Sequence, residues 1–207
     1  MKKTWTSDDG TESYVGEFDG EKKHGEGVYT WIDMGEVSGQ FENDELPNHG
    51  KFVQYGSYEY VGQMKNRDGV FNGKGKLISS NPKYTYEGDF LNGNFHGYGI
   101  YIQEDGTRYE GEFKNGLRHG KGTTANAIFF RSGEDKGEEF IMDGGPLIGE
   151  YNEDYPVGNF VWEMKSGRKY FGELNKDGLF HGKGTLTHPD GKIEKGIWDS
   201  AKLIKEE

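Results

Sequence analysis

The stretch Tyr109-Glu-Gly-Glu-Phe-Lys-Asn-Gly-Leu-Arg-His-Gly-Lys-Gly122 reads as strand, turn, strand. Tyr109, Gly111 and Phe113 alternate with Glu110 and Glu112, so a period of two puts aromatics on one face and carboxylates on the other. Lys114-Asn115-Gly116 supplies the turn, because Asn and Gly tolerate positive φ. After His119 the chain alternates again, with Gly120 and Gly122 on one face. Glycine weakens a strand unless something needs the space above it. The expected occupants are Tyr and Phe rings from a neighbouring strand, lying over bare backbone. A lone hairpin is marginal in water, so this one needs neighbours.

The neighbours recur along the chain. The glycine two residues after the aromatic position falls at Gly16, Gly39, Gly62, Gly88, Gly111, Gly149, Gly172 and Gly196. Most intervals are 23 residues, the exceptions being 26, 38 and 24. Tyr14-Val-Gly-Glu-Phe18 and Tyr86-Glu-Gly-Asp-Phe90 are near copies, and His-Gly-x-Gly returns at His24, His96, His119 and His181. A fixed period of this size marks a repeat architecture.

Composition alone points elsewhere. Leu, Ile, Val and Phe make up about 19% of the chain and the net charge is −11, values usually read as disorder. Thirteen Tyr, thirteen Phe and four Trp overrule that prior, since a solvated tail is poor in aromatics. The chain has no cysteine, which excludes disulfides and thiolate metal sites and fits a reducing compartment. Its acidic balance opposes nucleic acid, which attracts clustered Lys and Arg. No run approaches the roughly 18 apolar residues that cross a bilayer, and the first ten residues lack an apolar leader segment.

Taken in order, residues 1–12 form an N-terminal half-repeat, with Lys3–Asp9 as the second strand of an incomplete hairpin. Residues 13–198 form an array of about eight repeats, and residues 199–207 are a charged tail. The repeat around Val37–Phe41 is eroded: Leu46-Pro47-Asn48 precedes His49-Gly50, and Phe52 stands where the second glycine is expected. The next has Asn72 in place of His, and Ser79-Ser-Asn-Pro82 lengthens the following loop. Residues 123–148 break the period. Within them Ile128–Phe130 reads as a strand, Ser132–Gly137 as a turn and Glu138–Met142 as a strand, with Gly137 as the candidate relic of a ninth anchor. The expected fold is all-β, an elongated, single-layer, twisted antiparallel sheet of stacked hairpins.

Tyr-x-Gly-x-Phe, a turn, then His-Gly-x-Gly at a 23-residue period resembles the MORN repeat (membrane occupation and recognition nexus) over roughly residues 13–198. Such repeats occur in junctophilins, plant phosphatidylinositol phosphate kinases, a lysine methyltransferase, apicomplexan cytoskeletal proteins and ciliary radial spoke heads. This chain carries repeats without a kinase, SET domain or membrane anchor. The resemblance therefore implies a non-enzymatic scaffold in a cytoskeletal assembly, cytoplasmic, with a radial spoke head of the ciliary axoneme as the specific setting. The alternative it implies is a peripheral membrane module binding phosphoinositides, which the net charge opposes because anionic membranes attract Lys/Arg clusters.

Chemistry-bearing residues are read structurally. Five histidines precede a glycine (His24, His49, His96, His119 and His181), but equivalent positions two strands apart lie roughly 10 Å from each other, too far to share a zinc ion. They are assigned to turns, and His188 to a loop. Glu17, Asp89, Glu112, Glu150 and Glu173 repeat along an open face and read as solvated, whereas acid–base catalysis wants one tuned pair in a cleft. Glycine-rich segments lack the helix N-terminus a phosphate site needs. No catalytic residue, cofactor or metal ligand is assigned.

Two groups remain as candidate partner contacts. Phe71, Phe95 and Phe180 precede the His or its substitute, where other repeats carry Lys23 or Arg118. Either they form an apolar hot spot on a charged rim, or each ring folds back on its own hairpin. Thr4, Trp5 and Thr6 lie on an open strand edge, which invites pairing with another protein or a second copy. Lys192 and Lys195 would discourage such pairing at the last strand.

Overall fold

The structure is a computed structural model that describes residues 2–65, 69–126, 128–129 and 142–207. The described residues contain strands and no helix. The strands are β1 (Lys3–Thr6), β2 (Glu12–Asp19), β3 (Lys22–Trp31), β4 (Gly35–Phe41), β5 (His49–Gln54), β6 (Tyr58–Lys65), β7 (Val70–Ser80), β8 (Lys83–Leu91) and β9 (Asn94–Gln103). They continue as β10 (Arg108–Lys114), β11 (Leu117–Ala125), β12 (Ile128–Phe129), β13 (Met142–Asp143), β14 (Leu147–Asn152), β15 (Tyr155–Glu163), β16 (Lys169–Leu174), β17 (Phe180–Thr187), β18 (Ile193–Asp199) and β19 (Lys202–Glu206). The chain divides into two compact units, Met1–Gly99 and Ile100–Glu207. The fold is all-β and antiparallel, built of successive hairpins, and β12 pairs with β13 apart from the rest.

Register follows the glycines. Gly16 pairs with Gly27, Gly27 with Gly39, Gly39 with Gly50, Gly50 with Gly62, and Gly62 with Gly75. In the second unit Gly111 pairs with Gly122, Gly122 with Gly149, Gly172 with Gly184, and Gly184 with Gly196. Directly opposed residues share a face, so each unit has a glycine row flanked by a row of large side chains. Tyr14, Tyr60, Tyr86, Tyr109 and Tyr170 fill that row and are almost completely buried. Each lies down over the glycine two residues ahead and the glycine of its partner strand. A Cβ built on Gly111 would sit 2.6 Å from the Tyr109 hydroxyl and 2.6 Å from the Gly122 Cα. The occupant of the space is therefore the hairpin's own tyrosine, covering both strands, and not a Phe from outside it.

Four residues on, a second aromatic closes the ring edge. Tyr14–Phe18, Tyr86–Phe90 and Tyr109–Phe113 are edge-to-face at 5.2, 5.1 and 5.1 Å between centroids. Each such pair adds about 0.5–1.5 kcal/mol beyond the area it buries. The next hairpin contributes as well, with Phe41 edge-on to Tyr14 at 4.9 Å.

The sequence and the structure part company at three places. His49-Gly50 is not a displaced His-Gly-x-Gly start: Gly50 occupies the second glycine's register and Phe52 pairs with Val37 and Tyr60 in the tyrosine row. Pro47, fully buried against Gly39, takes the position of the missing histidine. Residues 202–206 are not a free tail but β19, paired antiparallel with β18. The irregular segment is an insertion, since β11 still pairs with β14 across it. Ile128 and Phe129 are extended as expected. The expected turn at Ser132–Gly137, the relic Gly137, and Phe130 lie outside the described residues, as does most of the second expected strand.

Candidate interaction surface

Turns and bulges are what position the side chains of this surface. Asn115 (φ 53°) and Gly116 (φ 87°) form a two-residue turn of the kind that matches strand twist. The following histidine is already in the second strand: His24 in β3, His96 in β9, His119 in β11 and His181 in β17. This corrects their assignment to turns. The glycine after each one is left-handed (61° at Gly120), and the register slips by two residues at it in β10–β11, a β-bulge. The carboxylate after the first glycine closes that bulge. Glu112 accepts the Lys121 N–H at 3.0 Å, Asp89 that of Tyr98 at 3.1 Å and Glu173 that of Lys183 at 3.4 Å. Gln63 does the same for Lys74 at 2.8 Å. These acids are ligands of their own backbone, which the reading as a solvated face missed.

The residue before the histidine is also in the strand, and its side chain lies on the tyrosine. Phe71 stacks on Tyr60 at 3.7 Å, Phe95 on Tyr86 at 3.8 Å and Phe180 on Tyr170 at 3.7 Å, with interplanar angles of 9°, 11° and 8°. Phe71 and Phe180 are buried and Phe95 is half-buried. Of the two placements the sequence left open, the structure has the second: each ring folds back on its own hairpin and does not form an exposed rim. At Arg118 the stack becomes cation–π, with the guanidinium 5.8 Å from the Tyr109 ring and 4.8 Å from Tyr151, whereas Lys23 turns to Trp5. The next turn then clips onto this residue's backbone, as when Asp154 accepts the Arg118 N–H at 2.9 Å and returns its own N–H to the Arg118 carbonyl at 3.0 Å.

Thr4, Trp5 and Thr6 are exposed in β1, which pairs with β2 and carries no second partner among the described residues. Trp5 is not idle: its ring stacks 6.2 Å from Tyr29, with the Lys23 ammonium 4.3 Å above it. From there a run of half-buried rings crosses the first unit: Tyr29–Trp31 at 4.8 Å, Trp31–Phe52 at 6.4 Å and Phe52–Tyr58 at 6.0 Å. At the turns beyond it stand Ile32, Met34 and Tyr55, exposed by 56%, 64% and 48%. The apolar rim that the sequence reading weighed as one alternative lay at the opposite ends of the strands.

A cleft of about 660 Å³ opens beside β4, lined by His24, Glu26, Phe41, Glu45 and His49 among others. No group of three or more acidic or histidine side chains among the described residues is placed to hold a metal ion. Tyrosine hydroxyls are spent on backbone: Tyr109 donates to the Glu112 carbonyl at 3.1 Å and Tyr170 to that of Glu173 at 2.8 Å. Burial pushes the Tyr60 phenol up to about 12, and Tyr109 and Tyr170 higher still, so these rings are not acid–base groups near neutrality.

Compared with protein families, the chain matches the MORN repeat at residues 14–33, 60–81, 86–108, 109–125 and 170–193, just over half of its length. It belongs to the MORN-repeat family. A search of curated proteins returned no match. The MORN hairpins outside the matched stretches are those with substituted registers. In β14–β15, Val157-Gly158-Asn159-Phe160 stands for His-Gly-x-Gly, and Leu147 stands for the tyrosine. Here the ring over Gly149 comes from Phe160, on the other strand. The MORN cross-section survives because the space above Gly149 is filled by one ring, whichever strand supplies it.

Proposed function

We propose that this MORN-repeat chain is a non-enzymatic scaffold that offers its ring-lined face to other proteins within a cytoskeletal assembly, with a ciliary radial spoke head as the specific setting and the cytoplasm as its location. The observation that carries the reading is how the polar groups are distributed. Asp89, Glu112, Glu173 and the repeat tyrosine hydroxyls are engaged with the backbone, whereas large apolar side chains stand out at the strand ends of the first unit. Such a surface favours protein contact over catalysis.

Affinity purification of the tagged chain from native cells, followed by mass spectrometry, tests this. A reproducible set of cytoskeletal or axonemal proteins supports it. Absence of any co-purifying protein, together with flotation on phosphoinositide liposomes, would replace it with the membrane reading.

A further inference from the structure

Three of the four turn regions at the Trp31 end of the first unit's strands, residues 6–13, 30–36 and 53–59, differ from the rest of that unit in two ways. They hold six carboxylates (Asp8, Asp9, Glu12, Asp33, Glu36 and Glu59) and no lysine or arginine. Lys22, Lys23 and Lys65 lie at the opposite strand ends, and Lys83 stands at this end in the fourth turn, which adjoins residues 53–59. Glu59 is matched by Lys51 at 2.9 Å and Glu12 accepts the Tyr29 hydroxyl, but Asp8 and Asp33 are exposed and form no ion pair among the described residues. Within this acidic rim sit Ile32, Met34 and Tyr55, all more than 45% exposed. Their turns adjoin, since the Met34 N–H bonds the Trp31 carbonyl and the Tyr55 N–H bonds the Met34 carbonyl, both at 3.1 Å. On the strand ends next to these turns Trp31, Phe52 and Tyr58 form a half-buried run of rings.

We infer that this rim receives a basic protein segment, its large apolar side chains seated on Ile32, Met34 and Tyr55 and its lysines or arginines facing Asp8, Asp33 and their neighbours. Charge complementarity selects the occupant: an acidic segment would meet an uncompensated negative field, and a second copy of this chain, with its net charge of −11, would bring like charge to it. Apolar anchors ringed by charge are the arrangement in which a few residues carry binding while the surrounding charges set the choice of partner. The inference rests on the scaffold reading above and names the chemistry of one of its partners.

The test uses three synthetic 14-residue peptides: one carrying leucines and lysines, one with glutamate for each lysine, and one with serine for each leucine. Binding to the full chain is read by calorimetry and by Trp fluorescence. The lysine–leucine peptide is expected to bind, and the other two to bind at least about tenfold more weakly. Ile32→Asp with Met34→Asp should weaken binding by about tenfold or more, and Asp8→Asn with Asp33→Asn should flatten its salt dependence. Ile204→Asp, at an exposed position in β19, should change nothing. If the charged pair unfolds the chain, Ile32→Ser with Met34→Ser carries the same expectation. Equal binding of the lysine and glutamate peptides, or full binding by the Ile32/Met34 variants, would overturn the assignment. Should those variants still capture the cellular partners of the wild type, the scaffold reading stands and only the rim is lost.

Discussion

A tyrosine lying flat across two glycines turns each of those glycines into a fixed steric requirement. Gly111→Ala puts a methyl group where the Tyr109 hydroxyl, the Lys121 carbonyl and the Gly122 Cα already stand at 2.6 Å. Two of those three are backbone atoms that cannot swing aside. The expected loss is about 1–3 kcal/mol, the usual range for overpacking, read as a lowered denaturant midpoint. Tyr109→Ala empties the same space and should cost about 3–5 kcal/mol, as buried aromatic truncations do. Alkaline titration probes the same rings. The folded phenols lose their protons above the ordinary value of 10, mainly through desolvation, at about 12 for Tyr60. The unfolded chain therefore ionises first. Stability contributed by these rings is complete below pH 10 and falls as pH rises through 12. Tyrosinate absorbance should show a matching late phase in the folded protein; a single phase near pH 10 at full fold would refute the burial.

In each hairpin the bulge carries the joint between residue and architecture. Glu112→Ala removes the acceptor for the Lys121 N–H and should cost about 0.5–1 kcal/mol, the lower part of the range for one hydrogen bond because the site is exposed. Glu112→Gln should restore most of it, because Gln63 already does this work in β6. Equal destabilisation by both would show that charge, not the acceptor, matters. The hairpins themselves were readable from the sequence: a period of two, Asn-Gly turns and recurrent glycines leave few alternatives. For Phe71, Phe95 and Phe180 the sequence left two placements open, a rim or a fold-back on the hairpin, since the choice depends on how short the turn is. Asn92 and Gly93, both at positive φ, complete the turn before Phe95, so Phe95 is already a strand residue facing Tyr86. β19 was missed for a related reason. Its turn uses Ser200 and Ala201 at positive φ, without the glycine or asparagine that flags a turn, and Lys202–Glu206 has no ring–glycine pattern. The apolar rim escaped notice because Ile32, Met34 and Tyr55 are separate in sequence and meet only when adjacent turns are stacked by hydrogen bonds. Phe71→Ala is accordingly expected to lower stability by about 3–5 kcal/mol, less any relief from relaxation around Tyr60.

Across the whole molecule, nearest-neighbour pairing means that stability is a sum of hairpins and the interfaces between them. The insertion between β11 and β14 should then be dispensable. Gly122 and Gly149 pair just as Gly27 and Gly39 do, although 27 residues separate the first pair and 12 the second. Deleting the fifteen residues Ile128–Met142 restores the shorter spacing. The shortened chain is expected to keep its far-ultraviolet circular dichroism and a single cooperative transition. Loss of cooperativity on deletion would show that the insertion supports the sheet.

The same spacing has a consequence in time. Strands that meet their sequence neighbours close only short loops, so folding can begin at any hairpin and spread outward. The β11–β14 junction is the exception among the described pairings: closing 27 residues instead of 12 costs about 0.7 kcal/mol more in chain entropy. A growing sheet that reaches β11 should pause there. If that closure limits the rate, deleting Ile128–Met142 should speed refolding about threefold, from the same entropy difference, and leave unfolding unchanged. Stopped-flow fluorescence of the two chains would place the slow joint of this otherwise uniform array at β11–β14, or show that folding has no preferred pausing point.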